Sequence, residues 1–189
     1  MTQNTALNDA DIAGLAARID RPIVLVGLMG VGKSTVGRRL ATMLKRDFVD
    51  ADDAIEEAAQ RSVAEIFREF GEAYFRDGER RVISRLMEER AGVIATGGGA
   101  FVDEETRTLI LDQAIAVWID CDIDTLVERT SRRDTRPLLR DGDPKTILTR
   151  LFEEREPYYS QAQIRIRSED GPHAETAKAI IEGIGAWLK

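Results

Sequence analysis

The sequence is poor in the residues that build redox and metal centres, with one cysteine and one histidine among 189 residues. Cys121 cannot form a disulfide within the chain, which is typical of proteins of the reducing cytoplasm. We expect it to be a small buried residue at the end of a strand. His173 cannot provide a metal site or a Ser–His–Asp triad by itself. Its polar surroundings predict a surface position.

The sequence also lacks a basic balance and any long apolar run. Its net charge is −7, which argues against a protein that binds nucleic acid or an anionic membrane through a basic face. No apolar stretch approaches the ~20 residues of a membrane span. Residues 1–21 resemble neither a signal peptide nor a transit peptide, and we interpret them as an N-terminal extension with a short amphipathic helix. The length favours one domain, residues 22–189.

Short apolar runs alternate with helical patterns along the rest of the chain. This alternation predicts an α/β domain, with a parallel sheet and helices on both faces. Ligands of such sheets bind at the carboxyl ends of the strands. We expect Asp52 or Asp53 to cap the helix after the second strand, and Gly71 to end the helix that begins at Ser62. The predicted strands span residues 22–27, 48–50, 93–96, 114–119 and 164–166.

Residues 27–35 read GLMGVGKST and match the phosphate-binding pattern G-x-x-x-x-G-K-[ST] in full. A strand precedes the motif and a helix comes after it, as in P-loop proteins. Backbone N–H groups of such a loop surround phosphate oxygens, the lysine reaches the β- and γ-phosphates and the serine hydroxyl holds Mg²⁺. The predicted nucleotide-binding residues are Gly30, Val31, Gly32, Lys33, Ser34 and Thr35.

The sequence downstream of the motif excludes several classes of P-loop protein. A GTPase needs an Asn-Lys-x-Asp stretch, and asparagine occurs only at positions 4 and 8. A motor ATPase is normally longer, or carries a long apolar strand that ends in Asp, whereas residues 93–95 lead into Thr96 and glycines. A short kinase that phosphorylates a small acceptor remains.

Five further segments, in this order, resemble the shikimate kinase family, whose members transfer a phosphoryl group from ATP to the 3-hydroxyl of shikimate in chorismate and aromatic amino-acid synthesis. The resemblance covers residues 22–188. It implies a three-layer, P-loop NTPase-type domain with a five-stranded parallel sheet, like that of nucleoside-monophosphate kinases. It also implies substrate-binding helices at about 52–90 and a lid at about 131–143. The segments are FVDADDAIE (48–56), GEAYFR (71–76), TGGGA (96–100), DTRPLL (134–139) and EREPYY (154–159).

The resemblance assigns the acceptor side of the site. It implies that Asp52 binds the shikimate hydroxyls and serves as catalytic base, and that Arg76 and Arg155 bind the carboxylate. A guanidinium group suits that role because its fork pairs with a carboxylate through two parallel hydrogen bonds. Glu79 lies three residues after Arg76 on the same helical face and is expected to hold its rotamer. The resemblance also implies that Gly97, Gly98 and Gly99 contact shikimate.

The resemblance also assigns the nucleotide side. It implies that Arg136, in the lid, contacts the phosphates and stabilises charge in the transition state, together with the catalytic Lys33. Arg129 matches the residue near adenine. Asp50 is placed near Mg²⁺, with Ser34 as the other metal-binding residue. Mg²⁺ is therefore the expected cofactor and ATP the co-substrate.

Two alternatives stay open at this point. Another small P-loop kinase, of the gluconate or nucleoside-monophosphate type, would share the phosphate loop and differ at the acceptor. A catalytically idle nucleotide-binding module would regulate a partner and need not keep Lys33, Ser34, Asp52 and Arg136 together. The prediction is a cytoplasmic kinase, a monomer by analogy with the family, with shikimate and ATP as its partners and no nucleic acid or membrane.

Overall fold

The structure is a computed structural model, which describes residues 7–89, 92–132, 139, 142–169 and 171–189. The predicted lid, including Arg136, lies largely outside these residues. Strands and helices alternate along the described chain. In order they are α1 (Asp9–Arg18), β1 (Ile23–Val26), α2 (Lys33–Leu44), β2 (Phe48–Asp50), α3 (Ala51–Ala59), α4 (Val63–Glu89), β3 (Val93–Ala95), α5 (Glu104–Gln113), β4 (Ile115–Cys121), α6 (Ile123–Ser131), α7 (Pro144–Tyr159), β5 (Ile164–Ser168) and α8 (His173–Trp187).

The five strands form one parallel sheet in the order β2-β3-β1-β4-β5. Every residue of β1 and β4 is buried, because helices cover both faces of the sheet at its centre. All strands are parallel, so their carboxyl ends lie at one edge. That edge carries the segments after Val26, Asp50 and Ala95, which contain the predicted site residues.

The α/β prediction is confirmed, and the strands occur where the apolar runs are. The predicted helix end at Gly71 is confirmed, since this residue has the non-helical angles φ 83° and ψ 175° and separates the two helical segments of α4. The predicted cap of α3 is wrong. Asp50 is the N-cap, and its carboxylate accepts a hydrogen bond from the Asp52 amide, while Asp53 is exposed in the first helical turn.

The amphipathic helix expected in the N-terminal segment is present as α1. It packs against α2 and α8, and Ile12, Leu15 and Ile19 belong to the main core. The Arg46 guanidinium donates to the carbonyl oxygen of Ile19, at 2.5 Å, and to that of Ala16. The N-terminal segment is therefore fixed by both apolar packing and hydrogen bonds. No helix in the described part of the chain is long and apolar enough to cross a membrane.

A second, smaller apolar cluster lies between α3 and α4. It contains Ile55, Ile66 and Phe75, with Phe67 packed against it. The rings of Phe67 and Phe75 are 4.5 Å apart, centroid to centroid. This cluster fixes the helical segment that carries Arg76 against the rest of the domain.

Candidate active site

The phosphate loop joins the end of β1 to α2. Gly27, Gly30 and Gly32 all have positive φ values, of 140°, 86° and 93°, and Gly32 is the N-cap of α2. Residues with a side chain rarely adopt such backbone angles. The sequence therefore needs glycine at these points of the loop to bring its N–H groups to the helix N-terminus, where an anion is stabilised.

Lys33 is buried at the base of this loop, with 8% of its surface exposed. Its ammonium donates to the carbonyl oxygens of Gly27, at 2.7 Å, and Leu28, at 2.8 Å. The positive charge is thus held within the loop, beside the N-terminus of α2. Val31 is buried and Thr35 is exposed in the first turn of α2.

Ser34 and Asp50 bring two oxygen donors together next to the phosphate loop. The Ser34 hydroxyl donates to the Asp50 carboxylate over 2.5 Å, although the two residues come from different elements. Hard oxygen ligands of this kind are those that Mg²⁺ prefers, and Mg²⁺ usually takes only one or two of them from a protein. Within the described residues, no three His, Cys, Asp or Glu side chains are grouped so that they could hold a metal. The donor set thus fits a metal bound mainly by phosphate and water.

Residues 97–99, which we call the glycine turn, contact three predicted acceptor-site residues in succession. A Cβ atom at the first glycine would lie 3.0 Å from Oδ1 of Asp52, and one at the second would lie 3.1 Å from Nη1 of Arg155. One at the third would lie 2.2 Å from Nη2 of Arg76. Any side chain here would displace these groups, which explains three glycines in a row. The turn brings together a carboxylate and two guanidinium groups from α3, α7 and α4.

The glycine turn also adjoins the phosphate loop. A Cβ atom at Gly98 would lie 3.5 Å from the amide nitrogen of Met29 and 3.7 Å from the carbonyl oxygen of Gly27. Thr96 fixes the turn from its other end, since its hydroxyl donates to the carbonyl oxygen of Leu25 in β1 at 2.9 Å. The predicted acceptor site and the predicted phosphate site are therefore direct neighbours.

Arg76 is held by acidic and aromatic side chains. Its Nη1 donates to Oε1 of Glu79 at 2.7 Å, and its Nε lies 3.6 Å from Glu72. Its guanidinium carbon lies 5.2 Å from the ring centroid of Phe75 and 5.9 Å from that of Phe67. The predicted pairing of Arg76 with Glu79 is present, and the aromatic faces add cation–π stabilisation.

Two carboxyl groups of the site have raised pKa values. Burial raises the pKa of Glu79 to about 7, and the charge of Arg76 opposes this shift without cancelling it. Burial also raises the pKa of Asp52, the charge of Asp50 adds to the effect, and Lys33 acts against it. A carboxylate with a raised pKa accepts a proton more readily, and the Glu79 carboxylate is partly protonated near neutral pH.

Arg129 and His173 lie beside the phosphate loop, near Val31 and Gly32. Arg129 donates to the carbonyl oxygens of Val31, at 3.4 Å, and Glu169, at 3.2 Å, so its guanidinium lies next to the phosphate loop. His173 is half-buried, not on the surface as predicted. A Cβ atom at Gly32 would lie 3.2 Å from its Cε1 atom. The reason is that α8 begins beside the phosphate loop and its first residue packs on Gly32.

Comparison with known proteins shows the family to which the chain belongs. The family model "Shikimate kinase" matches residues 29–185. A shikimate kinase of Novosphingobium aromaticivorans is 56% identical over 186 residues, which cover 96% of each chain. The chain belongs to the shikimate kinase family. A shikimate kinase of Caulobacter vibrioides is 53% identical over 92% of this chain and 86% of its own length.

Comparison with solved structures leads to the same family. The shikimate kinase from Acinetobacter baumannii in complex with shikimate has a TM-score of 0.84 at 36% identity, over 91% of this chain and 97% of that one. A gluconokinase from Sinorhizobium meliloti has a TM-score of 0.60 at 18% identity, and that likeness shows the fold alone. The predicted family, the P-loop kinase fold and the class of ATP-dependent phosphotransferase are confirmed.

The sequence resemblance to shikimate kinases gave no role to Tyr159, although this residue is part of the EREPYY segment. The residue is fully buried, and its hydroxyl donates to the carbonyl oxygen of Gly98 at 2.5 Å. The spacing in the sequence could have indicated its position. Tyr159 lies four residues after Arg155 on α7, and residues at this spacing lie on one helical face.

Proposed function

We propose that this protein transfers the γ-phosphoryl group of ATP to the 3-hydroxyl of shikimate, giving shikimate 3-phosphate and ADP for chorismate and aromatic amino-acid synthesis. The observation that carries the proposal is the glycine turn, which contacts Asp52, Arg155 and Arg76 in succession beside the phosphate loop. A carboxylate suits the hydroxyls of an acceptor, and two guanidinium groups suit its carboxylate.

On the nucleotide side, the backbone N–H groups of residues 30–35 and the N-terminus of α2 bind the phosphates. The Lys33 ammonium exchanges its carbonyl partners for phosphate oxygens and balances the charge that develops during transfer. Ser34 and Asp50 would hold Mg²⁺ through their side-chain oxygens. When bound, the metal neutralises charge on the β- and γ-phosphates.

On the acceptor side, Asp52 orients the reacting hydroxyl and accepts its proton. Its raised pKa favours that transfer, because a more basic carboxylate is a better acceptor. Arg76 and Arg155, together the carboxylate clamp, bind the carboxylate of shikimate and fix its register. Neutral sugars lack a group that could pair with both arginines, so the clamp gives specificity for an anionic acceptor.

Arg136, in the lid at about 131–143, contacts the phosphates when the lid closes, and closure excludes water that would otherwise accept the phosphoryl group. Arg129 lies near adenine.

We divide the chain into an N-terminal segment of residues 1–21 and one kinase domain of residues 22–189, with substrate helices at about 52–90. We further propose a cytoplasmic monomer.

The test is ADP release from MgATP with and without shikimate, with gluconate and AMP as alternative acceptors. Stimulation by shikimate alone is the expected result. A Lys33→Ala variant purified in the same way controls for contaminating kinases, and it is expected to lose the stimulation. Stimulation by gluconate or AMP in place of shikimate would leave a P-loop kinase but overturn the acceptor assignment.

A further inference from the structure

Tyr159 is a fully buried side chain whose polar end lies in the acceptor site. Its ring packs in the core, 5.9 Å from the ring centroid of Trp118. Its hydroxyl donates to the carbonyl oxygen of Gly98, the middle residue of the glycine turn, over 2.5 Å. The ring alone would satisfy the core, so the hydroxyl group calls for a separate explanation.

The same hydroxyl also interacts with the carboxylate clamp. Arg155 and Tyr159 both contact Gly98, and the positive charges of Arg155 and Arg76 act on the Tyr159 phenol, whose pKa they lower against the effect of burial. A phenol has one donor hydrogen and can accept as well, so it can serve Gly98 and Arg155 together. Arg155 in turn packs directly on Gly98, as the 3.1 Å approach to its Cβ position shows.

We propose that Tyr159 is a positioning residue, which uses its hydroxyl to hold Arg155 and the glycine turn in the one arrangement that receives an acceptor carboxylate. This inference rests on the proposed function. Tyr159 acts through Arg155 and the backbone of Gly98. Its effect therefore falls on the binding of the anionic acceptor, and ATP binding is left unchanged.

Tyr159→Phe is the variant that separates this role from core packing, because it removes the hydroxyl and keeps the buried ring. Tyr158→Phe is the matched control. Tyr158 is the residue before Tyr159 on α7 and is half-buried. The guanidinium carbon of Arg107 lies 5.0 Å from the centroid of its ring. Both variants remove one phenol hydroxyl from the same helix, and only one of these hydroxyls reaches the glycine turn.

The experiment measures KM and kcat with shikimate, with its neutral methyl ester, and with ATP, for the wild type and both variants. We expect Tyr159→Phe to raise KM for shikimate about 5- to 10-fold, the effect of one lost hydrogen bond between neutral groups. KM for ATP and KM for the ester should stay near the wild-type values, so that the preference for the acid over the ester falls. Tyr158→Phe should behave as the wild type.

A double-mutant cycle provides the second readout. Arg155→Ala should raise KM for shikimate less in the Tyr159→Phe background than in the wild type, because the two residues act as one unit. Additive effects, an unchanged KM in Tyr159→Phe, or equal rises in KM for shikimate, ester and ATP would overturn the positioning role. A wild type without shikimate-dependent ADP release would instead overturn the proposed function itself.

Discussion

At the scale of single residues, the two arginines of the carboxylate clamp differ in how they are held. Arg76 is fixed by an acidic partner, Glu79, and by aromatic rings, whereas Arg155 packs on the backbone of Gly98 beside the Tyr159 hydroxyl. Both are pre-organised, so less conformational entropy is lost when an anion binds. Each should therefore be sensitive to substitution.

Arg76→Ala should weaken shikimate binding and leave ATP binding nearly unchanged. Loss of one partner of a buried charge pair costs roughly 2–5 kcal/mol, which corresponds to at least about 30-fold in Kd. Titration calorimetry with each substrate measures both affinities. Arg81→Ala is the control, since Arg81 lies on the same helix but its side chain is 78% exposed and pairs with Asp77. Equal losses of ATP and shikimate affinity in Arg76→Ala would contradict the clamp.

We expect Glu79 to make shikimate binding dependent on pH. Its pKa of about 7 leaves it partly protonated at neutral pH. A carboxylate that binds Arg76 brings a second negative charge close to Glu79, which raises this pKa further. Binding should therefore take up a proton, and affinity should fall as the pH rises above 7.

Calorimetry at pH 7 in buffers of different ionisation enthalpy checks this proton uptake. The observed enthalpy should vary with the buffer for the wild type and not for Glu79→Gln. Glu72→Gln is the control, because Glu72 also lies beside Arg76 but its side chain is 71% exposed. If the uptake persists in Glu79→Gln, another group, such as Asp52, takes the proton and the assignment to Glu79 is wrong.

At the scale of elements, the glycine turn links three helices that are distant in sequence. Gly99→Ala should therefore act on Arg76 across the site, since the new Cβ atom would meet its Nη2 at 2.2 Å. We expect KM for shikimate to rise and KM for ATP to change little, as measured by steady-state kinetics. Gly78→Ala is the control in the nearby α4 helix, where a Cβ atom meets nothing within 4 Å. It should preserve activity and raise stability by about 0.5–1 kcal/mol. Equal kinetics in both variants would contradict the steric argument.

The elements were largely predictable from the sequence, because β1, β3 and β4 contain short apolar runs and β5 alternates isoleucine with arginine. The P-loop and the glycine turn were predictable for the same local reason, together with the rule that carboxyl ends of parallel strands share an edge. Two contacts were not predictable from the sequence, namely the hydrogen bond of Tyr159 to Gly98 and the packing of His173 on Gly32. Both join segments that are distant along the chain, and no local pattern specifies which backbone group a distant side chain meets.

At the scale of the whole molecule, an acidic protein brings three cationic side chains together at one edge of its sheet. The net charge is −7, yet Lys33, Arg76 and Arg155 converge on the phosphate loop and the glycine turn. The sheet makes this possible, because the segments that follow several of its parallel strands meet at one edge. The core that holds the sheet and its helices in register includes α1, which packs against α2 and α8.

Leu15→Ala tests whether α1 contributes stability without acting on catalysis. Leu15 is 8% exposed and lies in the main core, so its truncation should lower the free energy of unfolding by about 2–4 kcal/mol. Urea denaturation measures this value, and kinetics well below the transition should give unchanged kcat and KM. Ala17→Ser, at an exposed position of α1, should cost less than about 0.5 kcal/mol. A stable Leu15→Ala enzyme with altered KM for ATP would show instead that α1 acts through α2 on the phosphate loop.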